Sequence, residues 1–239
     1  MSGTVAPRFA NAAHAAGHEV VPWVRGDVSP DDPAACQKFL DEQNPNAILH
    51  AAFGAESWAG LLASHARSRS IPFVFTSTTM VFAQRPDGPY TISSPRTATD
   101  EYGSYKIRCE DSVWAANPDA MVARLGYQID PDGVGNNMVA HIDAQQAADG
   151  VVRASRRWIP ACAFLDDTAD ALLALVSDPQ PGLHHLDSNA QSAWTYVRIL
   201  RGLAELLDRR WQILETDEPD HDQRLIDSPR ILGLETRLA

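Results

Sequence analysis

Short apolar runs of strand length recur along this chain, and each is followed by a stretch whose apolar residues fall at helical spacing. The strand-like runs cover residues 19–24, 47–52, 71–76 and 120–125, and the helical patterns cover 7–16, 33–43, 57–68 and 102–116. Strand and helix in alternation predict crossover units, and hence an α/β chain with a doubly wound parallel sheet. In such sheets ligands bind beyond the carboxyl ends of the strands. The segments that fall there are His50-Ala51-Ala52-Phe53-Gly54, Ser77-Thr78 and Arg124-Leu125-Gly126-Tyr127.

After Asp130 the pattern changes character. Pro131, Gly133 and Gly135 interrupt it, and a helix is expected over 137–148. Asp166-Asp167-Thr168 reads as the cap of a helix running to Val176, residues 182–186 as a strand and 192–207 as a long helix. The stretch from Glu215 onward, rich in Asp, Pro and Arg, has no readable period. There is no internal repeat and no low-complexity tract.

With 239 residues, 44% of them hydrophobic, the chain is long enough for one large domain or one with a small second lobe. A formal net charge of -11 without a Lys/Arg stripe argues against a nucleic-acid partner. Cys36, Cys109 and Cys162 stand far apart, which fits free thiols in a reducing compartment and makes the cytoplasm the default location. No run approaches the ~20 apolar residues that span a bilayer, and the start lacks a basic region followed by an apolar core, so neither membrane nor export is expected. His14 and His18 are four apart, but Gly17 signals a helix end between them; His184 and His185 alternate faces of a strand-like run. No metal site is expected. No Gly-x-Ser-x-Gly elbow is present, which argues against a serine hydrolase.

The candidate chemistry lies in Glu101-Tyr102-Gly103-Ser104-Tyr105-Lys106, downstream of the run that ends Thr76-Ser77-Thr78-Thr79. On a helix, Tyr102 and Lys106 share one face, so an ammonium is placed to favour the ionised phenol. A free tyrosine ionises near pH ~10 and needs such a neighbour to act as an acid or base at neutrality. A hydroxyl from Ser77 or Thr78 at the strand end completes a proton-transfer set by holding a substrate oxygen. Tyr105 is off the required spacing to any lysine and reads as packing.

The order of these elements resembles the extended branch of the short-chain dehydrogenase/reductase superfamily, and within it the dTDP-4-dehydrorhamnose reductase group. There a Ser-Thr-Asp-Tyr-Val-Phe-like strand end is followed by a Tyr-Gly-x-x-Lys helix. Here the same places read Ser77-Thr78-Thr79-Met80-Val81-Phe82 and Tyr102-Gly103-Ser104-Tyr105-Lys106. The resemblance covers most of the chain. It implies a Rossmann-like dinucleotide-binding domain over 1–129, with 160–187 packing back on it, and a substrate lobe from 130–159 and 188–239. It implies a nicotinamide cofactor that reduces a keto group on a nucleotide-linked sugar, with Tyr102, Lys106, Thr78 and Ser77 as catalytic residues. Homodimer pairing through the tyrosine helix is implied as well.

The resemblance also places Gly3, Thr4, Val5, Arg25, Ala51, Ala52, Phe53, Lys106 and Leu125 at the cofactor. Arg25 stands where an arginine favours a 2'-phosphate, so NADPH is slightly preferred over NADH. Gly3 and Ala6 match the second and third places of the glycine-rich turn of the dinucleotide motif. The first glycine and the first strand would precede Met1, so the sheet is expected to lack that strand. Thr79 stands where the rhamnose reductases carry Asp, which points to different substrate handling. Two alternatives accompany the reductase reading: a non-catalytic shortened relative serving as a binding or regulatory subunit, and a nucleotide-sugar epimerase.

Overall fold

Most helices of the chain begin or end where a side chain or a left-handed residue closes their open backbone groups. The structure, a computed structural model, describes residues 3–85, 87–132 and 135–238. Met1, Ser2 and Gly133 of the sequence reading lie outside the described residues. Helix α1 (Val5–Ala15) stops before Gly17 at φ 85, and α2 (Pro33–Gln43) starts on the Asp32 cap and stops at Asn44 in the left-handed region. Strand β1 (Ile48–His50), α3 (Glu56–Arg69), β2 (Phe73–Thr78), α4 (Glu101–Ala116) and β3 (Met121–Leu125) follow in alternation. The sheet is completed by α6 (Leu165–Ser177) and β8 (Gly182–Leu186), after β4 (Tyr127–Ile129), α5 (Met138–Asp149), β5 (Val152–Ser155), β6 (Trp158–Ile159) and β7 (Cys162–Phe164). Helix α7 (Tyr196–Leu206), β9 (Ile213–Thr216) and β10 (His221–Asp222) close the chain.

The main sheet has the order β1-β2-β3-β8 and every pairing in it is parallel. Both faces must then be covered. On one face Phe73, Phe75 and Val122 pack with Leu40 of α2, Trp58 and Leu62 of α3, and Tyr105 and Val113 of α4. On the other, Val74, Met121 and Ala123 meet Leu172 and Leu175 of α6, with Phe9 of α1 against them. This two-sided burial explains why β2 opens on three consecutive apolar residues, Phe73, Val74 and Phe75. A separate core of Ile129, Met138, Ile142, Ile199 and Leu200 sits among α5, α7 and the short parallel pairs β4–β7 and β5–β9.

Three expectations are corrected. Residues 19–24 form no strand: among the described residues nothing pairs with them, and Val21 and Val24 are nearly half exposed. Their apolar character is real, but a strand needs a neighbour, and among the described residues β1 pairs with β2 alone. Helix α6 has no side-chain cap; its N-cap is Phe164, and Asp166 and Asp167 lie in the first turn, where carboxylates favour the positive end of the helix dipole. Helix α7 begins at Tyr196 because the Thr195 hydroxyl accepts the Arg198 amide and stops the helix from extending back to 192.

Asp187, just past β8 and 1% exposed, ties three segments together. Its carboxylate accepts the amides of Cys162 (3.0 Å), Asn189 (2.8 Å) and Leu225 (2.9 Å). Burial pushes its pKa up to about 7 from 3.8, against the pull of those three amides. The native state therefore holds this proton more tightly than the unfolded chain does. The stability contributed is fully present below the unfolded value and is lost as pH rises through about 7, an effect on the order of a few kcal/mol. In urea unfolding at pH 5 and pH 8, Asp187→Asn is expected to be less stable than wild type at pH 5 and to show a shallower decline toward pH 8.

Candidate active site

The carboxyl ends of β2 and β3 and the first turns of α4 meet at one place. Helix α4 starts there because the Asp100 carboxylate accepts the Gly103 amide at 2.8 Å. It approaches closely because residue 103 is glycine: a Cβ at that position would lie 2.2 Å from the Met80 carbonyl oxygen and 2.5 Å from the Ala98 Cβ. Tyr102 is thereby brought over the end of β2, beside Thr78, and is 44% exposed. Thr78 remains in extended conformation, and its hydroxyl accepts the Met80 amide at 3.1 Å.

Burial of the phenol end raises the Tyr102 pKa above its ordinary value; the Thr78 hydroxyl lowers it in part, and Cys109 adds to the rise. The expected lowering by Lys106 is therefore corrected. Lys106 is 7% exposed and its ammonium turns under the sheet end. It donates to the Thr76 carbonyl at 3.0 Å and lies 4.8 Å over the Phe75 ring. Burial holds its pKa below the usual lysine value, with Cys109 and Glu110 pulling it back up. At neutral pH Tyr102 is a protonated acid rather than an ionised base.

Ser77 and Thr78 are consecutive in a strand and point to opposite faces. Ser77 is 4% exposed and donates its hydroxyl to Glu110 at 2.5 Å, so it does not face the Tyr102 cleft as the sequence reading expected. Leu125 is buried in the sheet, opposite Thr78 on one side and Leu186 on the other.

Along the free edge of β1 runs a groove of about 1220 Å³. Gly3, Arg25, Ala51, Ala52 and Phe53 all line it, so five of the cofactor residues expected from sequence share one cavity. Thr4 instead donates its hydroxyl to the Asn136 carbonyl at 3.1 Å, and Val5 packs beside the core under α6. Gly3 takes φ 91, a conformation that favours glycine, with nothing within 4 Å of its would-be Cβ. Among the described residues helix α1 has no side-chain cap and no acidic residue in its first turn, so no side-chain charge offsets the positive end of its dipole. The guanidinium of Arg25 lies 5.5 Å over the Trp58 ring, and among the described residues the buried Trp58 Nε1 has no hydrogen-bond partner. A helix start without acidic residues, the small residues Ala51 and Ala52 and an arginine along one groove fit a phosphate-bearing dinucleotide. Among the described residues no cluster of His, Cys, Asp and Glu is placed to hold a metal, and no helix is long and apolar enough to cross a membrane.

Two site residues escaped the sequence reading. Tyr105, taken there as packing, donates its hydroxyl to the Gly54 carbonyl at 2.8 Å and accepts the Gly54 amide at 3.1 Å, which fastens the groove loop to α4. Its ring also lies 4.5 Å from that of Phe53. Glu110 is fully buried and bound to Ser77, Arg96 and Arg124. A partial signal was present for Glu110 alone: Tyr102, Lys106 and Glu110 recur at four-residue steps on one helix face, and an acidic residue on a core-facing position requires a cation, although the pattern does not say which.

Comparison with known proteins agrees with this arrangement. Residues 1–199 match the family model described as the RmlD substrate binding domain. The dTDP-4-dehydrorhamnose reductase of Mycolicibacterium smegmatis is 26% identical over 201 residues, which cover 77% of this chain and 61% of that protein. The chain thus spans less than two thirds of the length of that curated relative. Among solved structures, dTDP-4-dehydrorhamnose reductase from Bacillus anthracis in complex with NADP superposes with a TM-score of 0.82 at 14% identity, covering 99% of this chain and 94% of that one. The Bordetella bronchiseptica enzyme WbmH in complex with NAD+ gives a TM-score of 0.72 at 17% identity over 95% and 87% of the two chains. A parallel Rossmann-like sheet, a tyrosine helix over its strand ends and a family match across residues 1–199 lead to one conclusion: this chain belongs to the RmlD substrate-binding-domain family.

Proposed function

We propose that the chain is a nicotinamide-dependent reductase of a keto group on a nucleotide-linked sugar. The observation that carries the reading is the pairing of Tyr102 with Thr78 at the end of β2, at the carboxyl edge of a sheet whose flanking groove suits a dinucleotide. Supporting it, the M. smegmatis relative bears the name of a reductase of this class, and solved neighbours hold NADP or NAD.

In this reading residues 1–129 with 160–187 bind the cofactor, and 130–159 with 188–239 form the substrate lobe. Gly3 and the start of α1 meet the pyrophosphate. Arg25 favours the 2'-phosphate of NADP over the bare ribose of NAD. Ala51, Ala52 and Phe53 flank the cofactor along the β1 edge, and Lys106 reaches a ribose hydroxyl with an ammonium proton not given to Thr76. The bound dinucleotide would supply hydride to the carbonyl carbon.

The side chains of the chain handle the oxygen. A carbonyl oxygen placed between Thr78 and Tyr102 accepts a hydrogen bond from the threonine hydroxyl and, as charge develops, a proton from the phenol. Tyr102 arrives at the step protonated, and because burial makes it a weaker acid than a free phenol, the proton moves only once hydride delivery has made the carbonyl oxygen strongly basic. Its partial exposure lets solvent return the proton afterwards. Thr79, 5% exposed, donates to the Gln223 carbonyl at 3.3 Å and offers no carboxylate, which argues against a dehydratase.

One observation favours a non-catalytic binding subunit instead: the Lys106 ammonium is spent on the Thr76 carbonyl and the Tyr102 pKa is raised rather than lowered. Titration with NADPH and NADH separates the two readings. Binding followed by oxidation of NADPH in the presence of a 4-keto nucleotide sugar supports the reductase, and absence of binding up to millimolar cofactor supports the subunit. Tyr102→Phe is expected to lower turnover by about 10²- to 10⁴-fold while leaving NADPH affinity nearly unchanged; undiminished turnover excludes the scheme. Tyr105→Phe removes both ties to Gly54, and the Gly54 amide is expected to exchange with deuterium about tenfold faster.

A further inference from the structure

The strongest unassigned feature of the molecule is a buried ionic network beneath the Tyr102 cleft. Glu110 of α4 is 0% exposed, and both its oxygens are saturated. Oε1 accepts the Ser77 hydroxyl at 2.5 Å and Arg124 Nε at 2.9 Å; Oε2 accepts Arg124 Nη2 at 2.8 Å and Arg96 Nη1 at 3.2 Å. Ser77 and Arg124 are direct partners in the β2–β3 ladder. One carboxylate therefore spans two adjacent strands at their carboxyl ends, a residue before Thr78 on β2 and before Leu125 on β3.

A buried ion pair is weak evidence of stability, since desolvating the charges offsets most of their attraction, and an apolar substitute of equal shape often does as well. What this one contributes is direction. Its four donors come from fixed places on two strands and one loop, so they determine the azimuth and the height of α4. Tyr102 lies eight residues, or about 12 Å, up the same helix face. Lys106 lies between them, with its ammonium on a carbonyl of the same strand. Rotation or sliding of α4 that moved Tyr102 from Thr78 would also pull Glu110 from Ser77 and Arg124.

We propose that Glu110 is a positioning residue: by clasping Ser77 and Arg124 beneath the sheet end, it sets where the Tyr102 phenol stands relative to Thr78. Its action on chemistry runs through Tyr102 and rests on the reductase reading above. Its action on geometry does not, and can be observed in the folded protein without turnover. Ser77 belongs to the same clasp, which accounts for a hydroxyl at that position better than contact with substrate does.

The test uses the full chain labelled with [13Cζ]tyrosine. It has five tyrosines, and the Tyr102 resonance is assigned by its loss in Tyr102→Phe. In Glu110→Gln the side-chain shape is kept, the charge is removed and one acceptor oxygen becomes an amide donor, leaving Arg124 and Arg96 a single neutral oxygen to share. The Tyr102 resonance is expected to move at neutral pH and its titration midpoint to rise, because the lowering influence of Thr78 weakens. With NADPH and a 4-keto nucleotide sugar, kcat is expected to fall by about 10²-fold, the cost of a misplacement near 1 Å, while KM for NADPH stays within about twofold. Ser77→Ala removes one donor and should shift both readouts in the same direction by less. Should Glu110→Gln fail to fold, Ser77→Ala decides alone. A folded variant whose Tyr102 resonance, midpoint and kcat match wild type overturns the proposal, and so does loss of activity that only follows loss of thermal stability with the resonance unmoved. If wild type itself does not oxidise NADPH, or Tyr102→Phe does so undiminished, the reductase reading fails, and the resonance and its midpoint still decide the role of Glu110.

Discussion

The constraint on which the rest of the structure depends is the seating of α4 on the end of a four-stranded parallel sheet. That seating is made by unlike forces at three heights. At the top, Gly103 lets the helix backbone touch the Met80 carbonyl. In the middle, Lys106 is buried with its ammonium on the Thr76 carbonyl. At the base, Glu110 closes on Arg124, Arg96 and Ser77. A purely apolar helix face would hold α4 on the sheet, but would leave its rotation less defined. Charges that have one partner geometry each define it. The apolar packing of Tyr105, Cys109 and Val113 then supplies burial around a position already specified.

The same helix couples the two halves of the candidate site. Its inward residues reach the strand ends, and its Tyr105 hydroxyl reaches across to the Gly54 loop, one wall of the groove. A ligand lying along β1 and a second one at Thr78 would therefore touch opposite sides of a single rigid element. Among the described residues β1 pairs with β2 alone, and residues 18–25 line the far wall of the groove without entering the sheet. The side chains above and below it, such as Phe9 and Trp58, keep it apolar on both faces. The backbone of β1 supplies polar atoms along its edge.

Much of this arrangement was legible before any coordinates. The alternation of strand and helix predicts the parallel sheet, and two-sided burial accounts for the consecutive apolar residues that open β2 and β3. The spacing of Tyr102 and Lys106 predicts a shared helix face. Residues 19–24 misled because periodicity reports which side chains prefer burial and is silent about whether a hydrogen-bonding neighbour is present. The electrostatics misled for a related reason. Spacing puts Lys106 on the face of Tyr102, but the direction of a long flexible side chain is decided by the nearest good acceptor, here the Thr76 carbonyl. The roles of Ser77 and Glu110 depend on a contact between positions 33 residues apart, which no local pattern encodes.

The central claim is that the β1 groove and the Thr78–Tyr102 cleft form one site for a nicotinamide dinucleotide. It is tested most directly by mapping amide chemical shifts of the 15N-labelled chain during titration with NADPH. The account predicts saturable shifts at Gly3, Arg25, Ala51 and Ala52 together with residues of the first turns of α4. Shifts confined to another surface, or none up to millimolar NADPH, would contradict it.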